Sequence, residues 1–250
     1  MRIKLAPFLN VMANGTATLD ILALTKGRFI DRLNLVLGGT FTKLMITDMR
    51  LKANAKVIWQ DSGDRTDKRM QFRGYPANPN YLTIDFSEIR AKNLIDQKLG
   101  SLDTANLSTL SLEVDIAGAT TPTLVAFAEC SYQGTQIAEA VDLVGKVLNY
   151  PHQVSATSQQ YPIYIPLGEM GGSLIRRIHI VPPASGITLN GVEIRKGGVP
   201  IFQNTLAVNN MINAEYGKTA QSGWLHVDFV DDQNISEGVF VSDRILLVEC

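Results

Sequence analysis

Along much of this chain apolar and polar residues alternate one by one. Thr16-Ala17-Thr18-Leu19-Asp20-Ile21, Ile30-Asp31-Arg32-Leu33-Asn34-Leu35-Val36-Leu37, Leu110-Ser111-Leu112-Glu113-Val114-Asp115-Ile116 and Leu225-His226-Val227-Asp228-Phe229-Val230 all carry the pattern. Successive side chains of a strand point to opposite faces, so alternation of this length predicts strands with one buried and one polar face. Gly38-Gly39, Gly186 and Gly197-Gly198 punctuate them as turns. Asn190-Gly191, between Ile187-Thr188-Leu189 and Val192-Glu193-Ile194, predicts a two-residue hairpin. Two stretches read as short helices instead. One covers about 87–99, with Ile89, Leu94, Ile95 and Leu99 on one face, and the other about 206–216. Gly100 and Gly217 stand where a helix C-terminal glycine belongs.

The chain also repeats itself. Gly27-Arg28-Phe29-Ile30-Asp31-Arg32 through Val36 matches Gly172-Ser173-Leu174-Ile175-Arg176-Arg177 through Val181 at an offset of 145. Leu51 to Gln60 matches Ile194 to Gln203 at 143, and Asn93-Leu94-Ile95 with Gly100 matches Asn210-Met211-Ile212 with Gly217 at 117. Glu113 to Ile116 matches His226 to Phe229 at 113, and Ala128-Glu129-Cys130 matches Val248-Glu249-Cys250 at 120. The falling offset places about 26 extra residues of the first copy within 61–91, where polar residues, Gly and Pro predict a surface excursion. The second copy runs to Cys250, as expected of a complete protein.

These features predict an all-β chain of two tandem antiparallel β-sandwiches with a short helix in each. The expected domains are 1–134 and 135–250, joined by a linker at about 135–152. Within 135–149 the apolar residues Ile137, Ala140, Val141, Val144, Val147 and Leu148 suit a helix or a strand equally, and Tyr150-Pro151 ends the segment. The jelly-roll winding of each half is an inference from size and element order. The start, Met1-Arg2-Ile3-Lys4-Leu5-Ala6-Pro7, has a short apolar stretch broken by Pro7, so an arm or edge strand is expected rather than a signal peptide.

Charge narrows the function. Lys+Arg is 23 and Asp+Glu is 24, with no basic run, which argues against a direct nucleic-acid role because phosphate binding needs a cationic face. No catalytic or cofactor-binding residue is assigned. A two-domain cupin enzyme would need clustered histidines, but His152, His179 and His226 are far apart, and the last two are expected on polar strand faces. There is no Gly-x-Ser-x-Gly elbow, and Cys130 and Cys250 read as packed or terminal reduced thiols. Gly168-Glu169-Met170-Gly171-Gly172 precedes a strand, so it reads as a turn rather than a phosphate loop. Asp61, Asp64 and Asp67, spaced by three, and Asp231-Asp232 are the metal candidates, with calcium the candidate cofactor because hard cations want several oxygens. Arg65, Lys68 and Arg69 oppose a site in the first group. Arg176-Arg177 and Arg195-Lys196 read as an exposed strand face, with lipid headgroups the alternative contact. Trp59, Trp224, Phe202 and Phe127 are expected in the core. Tyr75, Tyr81, Tyr161 and Tyr164, near prolines, are what a carbohydrate-binding double jelly roll would use, and that is the alternative function.

The repeat resembles the double jelly-roll major capsid proteins of icosahedral bacteriophages with an internal membrane, most of all the corticovirus coat protein. The resemblance covers Phe8 to Cys250 and is carried by Phe8-Leu9-Asn10-Val11-Met12-Ala13-Asn14-Gly15 and Ile212-Asn213-Ala214-Glu215-Tyr216-Gly217-Lys218. It implies a non-enzymatic structural protein forming homotrimeric, pseudo-hexagonal capsomers over an internal lipid membrane, with calcium in some members. It further implies neighbouring trimers, vertex or minor capsid proteins and membrane proteins as partners. The site of action would be the virion capsid, with synthesis and assembly in the bacterial host cytoplasm. A minor coat or vertex protein is the other virion role.

Overall fold

The structure is a computed structural model that describes residues 1–91, 97–98, 100–132, 144–153, 160–164, 174–182, 188–196, 198–231, 239–240 and 244–249. The chain divides into two compact units. The first comprises Met1–Met70 and Tyr75–Asn149, and the second comprises Gln71–Gly74 and Tyr150–Cys250.

The first unit runs β1 (Arg2–Lys4), β2 (Gly15–Asp20), α1 (Leu22–Thr25), β3 (Arg28–Gly39), β4 (Ile46–Ala53) and β5 (Lys56–Asp61). It continues with α2 (Gly63–Phe72), β6 (Tyr81–Asp85), β7 (Leu102–Asp103), β8 (Leu110–Ile116) and β9 (Pro122–Tyr132). One sheet has the order β1-β9-β3-β6, with β7 also on β3, and the other β2-β8-β4-β5. All these pairs are antiparallel. Read from β1, the two sheets interleave as a jelly roll.

The predicted alternation is realised residue by residue. In β8 Leu110, Leu112, Val114 and Ile116 are buried while Ser111, Glu113 and Asp115 lie on the polar face. Leu33, Leu35, Ile84, Met49 and Leu51 complete a core without solvent contact. In β3 the alternation skips between Ile30 and Leu33 because a bulge interrupts the β3–β9 register there. The bulged residue, Asp31, is buried, and its backbone carbonyl accepts from the amides of Phe86 and Ser87. The expected edge strand at the start is β1, whose Arg2 pairs across to Glu129 of β9.

Two readings need correction here. Residues 61–91 are not a surface excursion: α2 occupies Gly63–Phe72 and buries Thr66, Arg69, Met70 and Phe72. Two of those buried positions are polar, which hid the helix from a hydrophobic pattern. The hairpin at Asn190-Gly191 is absent, because Gly191 opens a strand whose partners lie elsewhere. Conversely, a tight hairpin that hydrophobicity alone does not announce joins β4 to β5 through Asn54 and Ala55, both at positive φ (49° and 65°). The Asn54 side chain accepts from the amides of Ser108 and Thr109, which holds it in that conformation. Most of the helix expected at 87–99 lies outside the described residues; Gln97 and Lys98 are helical and Gly100 has φ 98°.

The second unit contains β10 (Gln160–Tyr164), β11 (Leu174–Ile175), β12 (Arg177–Ile180), β13 (Gly191–Lys196) and β14 (Val199–Thr205). It ends with α3 (Leu206–Glu215), β15 (Leu225–Asp228), β16 (Val239–Phe240) and β17 (Arg244–Glu249). The main sheet is β10-β17-β13-β14, and β12-β15 and β11-β16 form further antiparallel pairs. Leu189, Val192, Ile194, Leu225 and Val227 make its core. Thr205 caps α3 by accepting from the Val208 amide, and Gly217, the C-terminal glycine that the sequence predicts, follows the helix at φ 72°.

Pairing shows which residues the two units share. β1-β9-β3-β6 corresponds to β10-β17-β13-β14, and β2-β8 to β12-β15. Leu33 faces Ala128 as Val192 faces Val248, an offset of 159 (192 minus 33). Leu33 also faces Ile84 as Val192 faces Asn204, an offset of 120 (204 minus 84). The first unit therefore carries 39 residues more between these points, and they hold β4, β5 and α2. The sequence matches at offsets 113 and 120 pair equivalent strands, β8 with β15 and β9 with β17. The matches at 145 and 143 do not. They set β3 on β12 and β4-β5 on β13-β14, strands with different partners. Any two amphipathic strands align at period two, so those matches reported shared strand character and not shared position.

Candidate functional site

The acidic residues proposed for a cation are distributed over separate basic partners. Asp61 ends β5 and is buried, with the Arg69 guanidinium 2.7 Å away. Asp64 and Lys68 form an i, i+4 ion pair on α2 at 2.9 Å. Asp67 pairs with Lys43. Asp231 is half-buried, and Asp232 lies outside the described residues. Among the described residues no three His, Cys, Asp or Glu side chains gather as a metal site.

The Asp61–Arg69 pair is the hub of a different structure. Arg69 Nη2 also donates to Asn149 Oδ1 at 3.2 Å, and Asn149 Nδ2 donates to the Gln60 carbonyl at 2.9 Å. Two residues earlier Val147 makes a parallel bridge to Trp59, with Gln60 N donating to its carbonyl at 3.0 Å. The segment leaving the first unit is thus tied to β5 and α2, and it covers the free edge of β5. Burial pushes the Asp61 carboxyl up and the Arg69 guanidinium down, and their mutual attraction opposes both.

The polar face of β2-β8-β4-β5 is a lattice of charges. Arg50 reaches Glu113 at 3.2 Å, Asp115 at 2.9 Å and Asp48, while Lys52 donates to Glu113 at 2.6 Å. Hydrogen bonding to Asp115 holds the Arg50 proton more firmly than usual. The Lys52 hydrogen bond is the main cause that holds Glu113 below the usual carboxylate range. Burial alone would push Asp115 up, but hydrogen bonds from Thr16 and Arg50 outweigh it and hold it low. On the other sheet Asp31 accepts from Ser101, Ser131 and Lys98 at 2.6–2.7 Å. Cys130 is a buried free thiol, pushed up by burial, and Cys250 lies outside the described residues.

Trp59 and Trp224 are buried and Phe127 and Phe202 half-buried. Of the tyrosines named for a carbohydrate platform, Tyr75 donates to Asp85 and Tyr81 is half-exposed; the side chains of Tyr161 and Tyr164 lie outside the described residues. In the second unit two expectations fail. His226 is wholly buried rather than on a polar face, and β12 and β15 set His179 opposite it with Nδ1 atoms 2.6 Å apart. Arg177 is not on an exposed face either: it forms a buried ion pair with Asp228 at 2.8 Å. Both were missed because cross-strand partners sit 47 and 51 positions apart in sequence. Large apolar side chains reach the surface in both units, Leu9, Met12 and Leu44 in the first and Val199, Ile201 and Met211 in the second.

A sandwich pair with salt-bridged faces and exposed apolar residues is a scaffold. The family model for the viral coat protein P2 N-terminal domain matches residues 2–131, and that for the C-terminal domain matches residues 144–244. The chain belongs to the viral coat protein P2 family. The solved major capsid protein P2 from bacteriophage PM2 is similar at 20% identity and TM-score 0.82, over 99% of this chain and 91% of that one. The STIV MCP follows at 15% identity and TM-score 0.62, over 99% and 94%. The PBCV-1 virus capsid matches at 13% identity and TM-score 0.56, over 100% and 83%. Identities this low carry the fold, and the fold is the double jelly roll. No curated protein sequence matches.

The coat protein assignment makes this a structural protein of the virion capsid and not an enzyme. The carbohydrate alternative gains nothing from these matches.

Proposed function

We propose that this chain is the major capsid protein of an icosahedral virus and builds its shell from homotrimers. Three chains with two jelly rolls each would form a pseudo-hexagonal tile, and tiles would meet edge to edge around an internal membrane. Vertex or minor capsid proteins and membrane proteins of the virion would be further partners, with synthesis and assembly in a bacterial host cytoplasm. The observation that carries this reading is the pair of coat-protein domains in tandem, matched across residues 2–131 and 144–244. A closed ring of three is the simplest assembly in which two similar but unequal units per chain alternate around six positions. Exposed Val199, Ile201, Met211, Leu9, Met12 and Leu44 supply apolar surface for contacts between copies.

Light scattering after size exclusion tests the proposal, with and without a calcium chelator. The expected species is about three times 27.4 kDa. A chain that stays at 27.4 kDa at every concentration overturns the trimer. Loosening by the chelator would make calcium a ligand of the assembly, with Asp61, Asp64 and Asp67 already facing basic groups.

A further inference from the structure

The opposed histidines of the second unit join four pieces of chain. His179 lies on β12 and His226 on β15. The His226 carbonyl accepts from Asn209 and Asn213 of α3, at 2.7 and 3.3 Å. Phe72, in the segment Gln71–Gly74 that clusters with this unit, stacks on the His226 ring at 4.1 Å and meets His179 edge-on at 5.7 Å. Trp224 lies 5.6 Å from the His226 ring. The Phe72 carbonyl in turn accepts from the Thr219 amide just beyond α3, at 3.1 Å.

A contact between two Nδ1 atoms needs one N–H and one lone pair. Two neutral rings of opposite tautomer provide them, and so do one neutral ring and one imidazolium. Two imidazoliums turn both N–H groups toward each other and lose the bond. They also place like charges side by side against the wholly buried ring of His226, where repulsion is weakly screened. Two residues along the same face, Arg177 and Lys218 both reach the Asp228 carboxylate, at 2.8 and 3.4 Å. The segment that supplies Phe72 continues into Arg73, which is half-buried. From α3 come the neutral amides of Asn209 and Asn213, while its Glu215 is exposed at the last helical position.

We propose that His179 and His226 form an acid-release latch, which holds α3 and Phe72 on the sheet while the rings share at most one added proton and opens when a second arrives. In the unfolded chain both imidazoles protonate near their ordinary value of about 6.5. The folded pair forgoes one of those protons, so the unfolded state binds more as pH falls below that value, and stability declines. One forgone proton lowers the folding equilibrium constant about thirtyfold between pH 7.5 and 5.0.

The test is an NMR titration of the full chain labelled with 15N-histidine. The expected result is that the pair keeps one neutral ring until the α3 amides lose protection from exchange. Both rings fully protonated in a chain with intact α3 protection would overturn the latch. His179→Gln keeps a hydrogen-bonding group but cannot take the proton, so the thirtyfold decline between pH 7.5 and 5.0 should be lost. A variant that folds and retains the full decline refutes the proposal, and the wild-type titration decides alone if the variant does not fold.

Discussion

Replacing Arg69 with methionine removes the positive half of a buried pair and leaves Asp61 behind. The Asp61 side chain has no solvent exposure and that of Arg69 has 9%. Methionine keeps much of the aliphatic stem, so packing of α2 changes little. What is lost is the 2.7 Å ion pair and the 3.2 Å hydrogen bond to Asn149. Breaking a buried pair from one side costs about 3–5 kcal/mol, because the remaining charge is desolvated and uncompensated. A pH dependence follows from the sign of the perturbation. Burial already raises the Asp61 carboxyl in the folded chain, and loss of Arg69 removes the attraction that opposed it. An acid raised on folding binds its proton more readily in the folded state, so stability is recovered as pH falls toward that value. The deficit of Arg69→Met in urea unfolding should therefore be larger at pH 7 than at pH 5. Asp61→Asn combined with Arg69→Met should restore most of it. Trp59, on β5 two residues before Asp61 and bridged to Val147, is the fluorophore to follow. A deficit below about 1 kcal/mol, or one equal at both pH values, would refute the view that this pair is a buried tie.

Three further substitutions probe other parts of the account. Leu33→Ala, at a fully buried position between β9 and β6, should cost about 2–5 kcal/mol in urea unfolding with an unchanged slope. Arg50→Met should cost only about 1 kcal/mol at pH 7, less in high salt. Because Glu113 and Asp115 are held low in the folded chain, their contribution is present above the ordinary carboxylate value and fades as pH falls through their lowered values. Acid titration of stability should accordingly bring wild type and Arg50→Met together. Asn209→Ala removes the 2.7 Å hydrogen bond to the His226 carbonyl and should cost about 1–2 kcal/mol, with faster amide exchange in α3.

Strands were the most legible part of the sequence, because burial on one face of a sheet writes itself as alternation. β8 is the clearest case, with its four apolar residues all inside. The bulge at Asp31 corresponds to a skipped step between Ile30 and Leu33, which the reading of that segment as plain alternation passed over. α2 was not, since its inward face includes Thr66 and Arg69, and a polar residue satisfied by a partner looks like a surface residue until the partner is seen. Internal repetition was legible only in part. The later matches found equivalent strands, whereas the earlier ones paired β3 with β12, whose likeness is amphipathic and whose sheet neighbours differ. The histidine pair and Arg177–Asp228 were invisible for another reason: strand pairing brings them together, and pairing is a property of topology rather than of spacing along the chain.

Copy number in purified virions addresses the central claim most directly. A shell tiled by this chain requires it to be the most abundant protein of the particle, and quantitative mass spectrometry of intact virions should find it so. Finding this chain at a few copies per particle, with another protein making up the bulk of the coat, would contradict the account and assign the chain to a minor or vertex position.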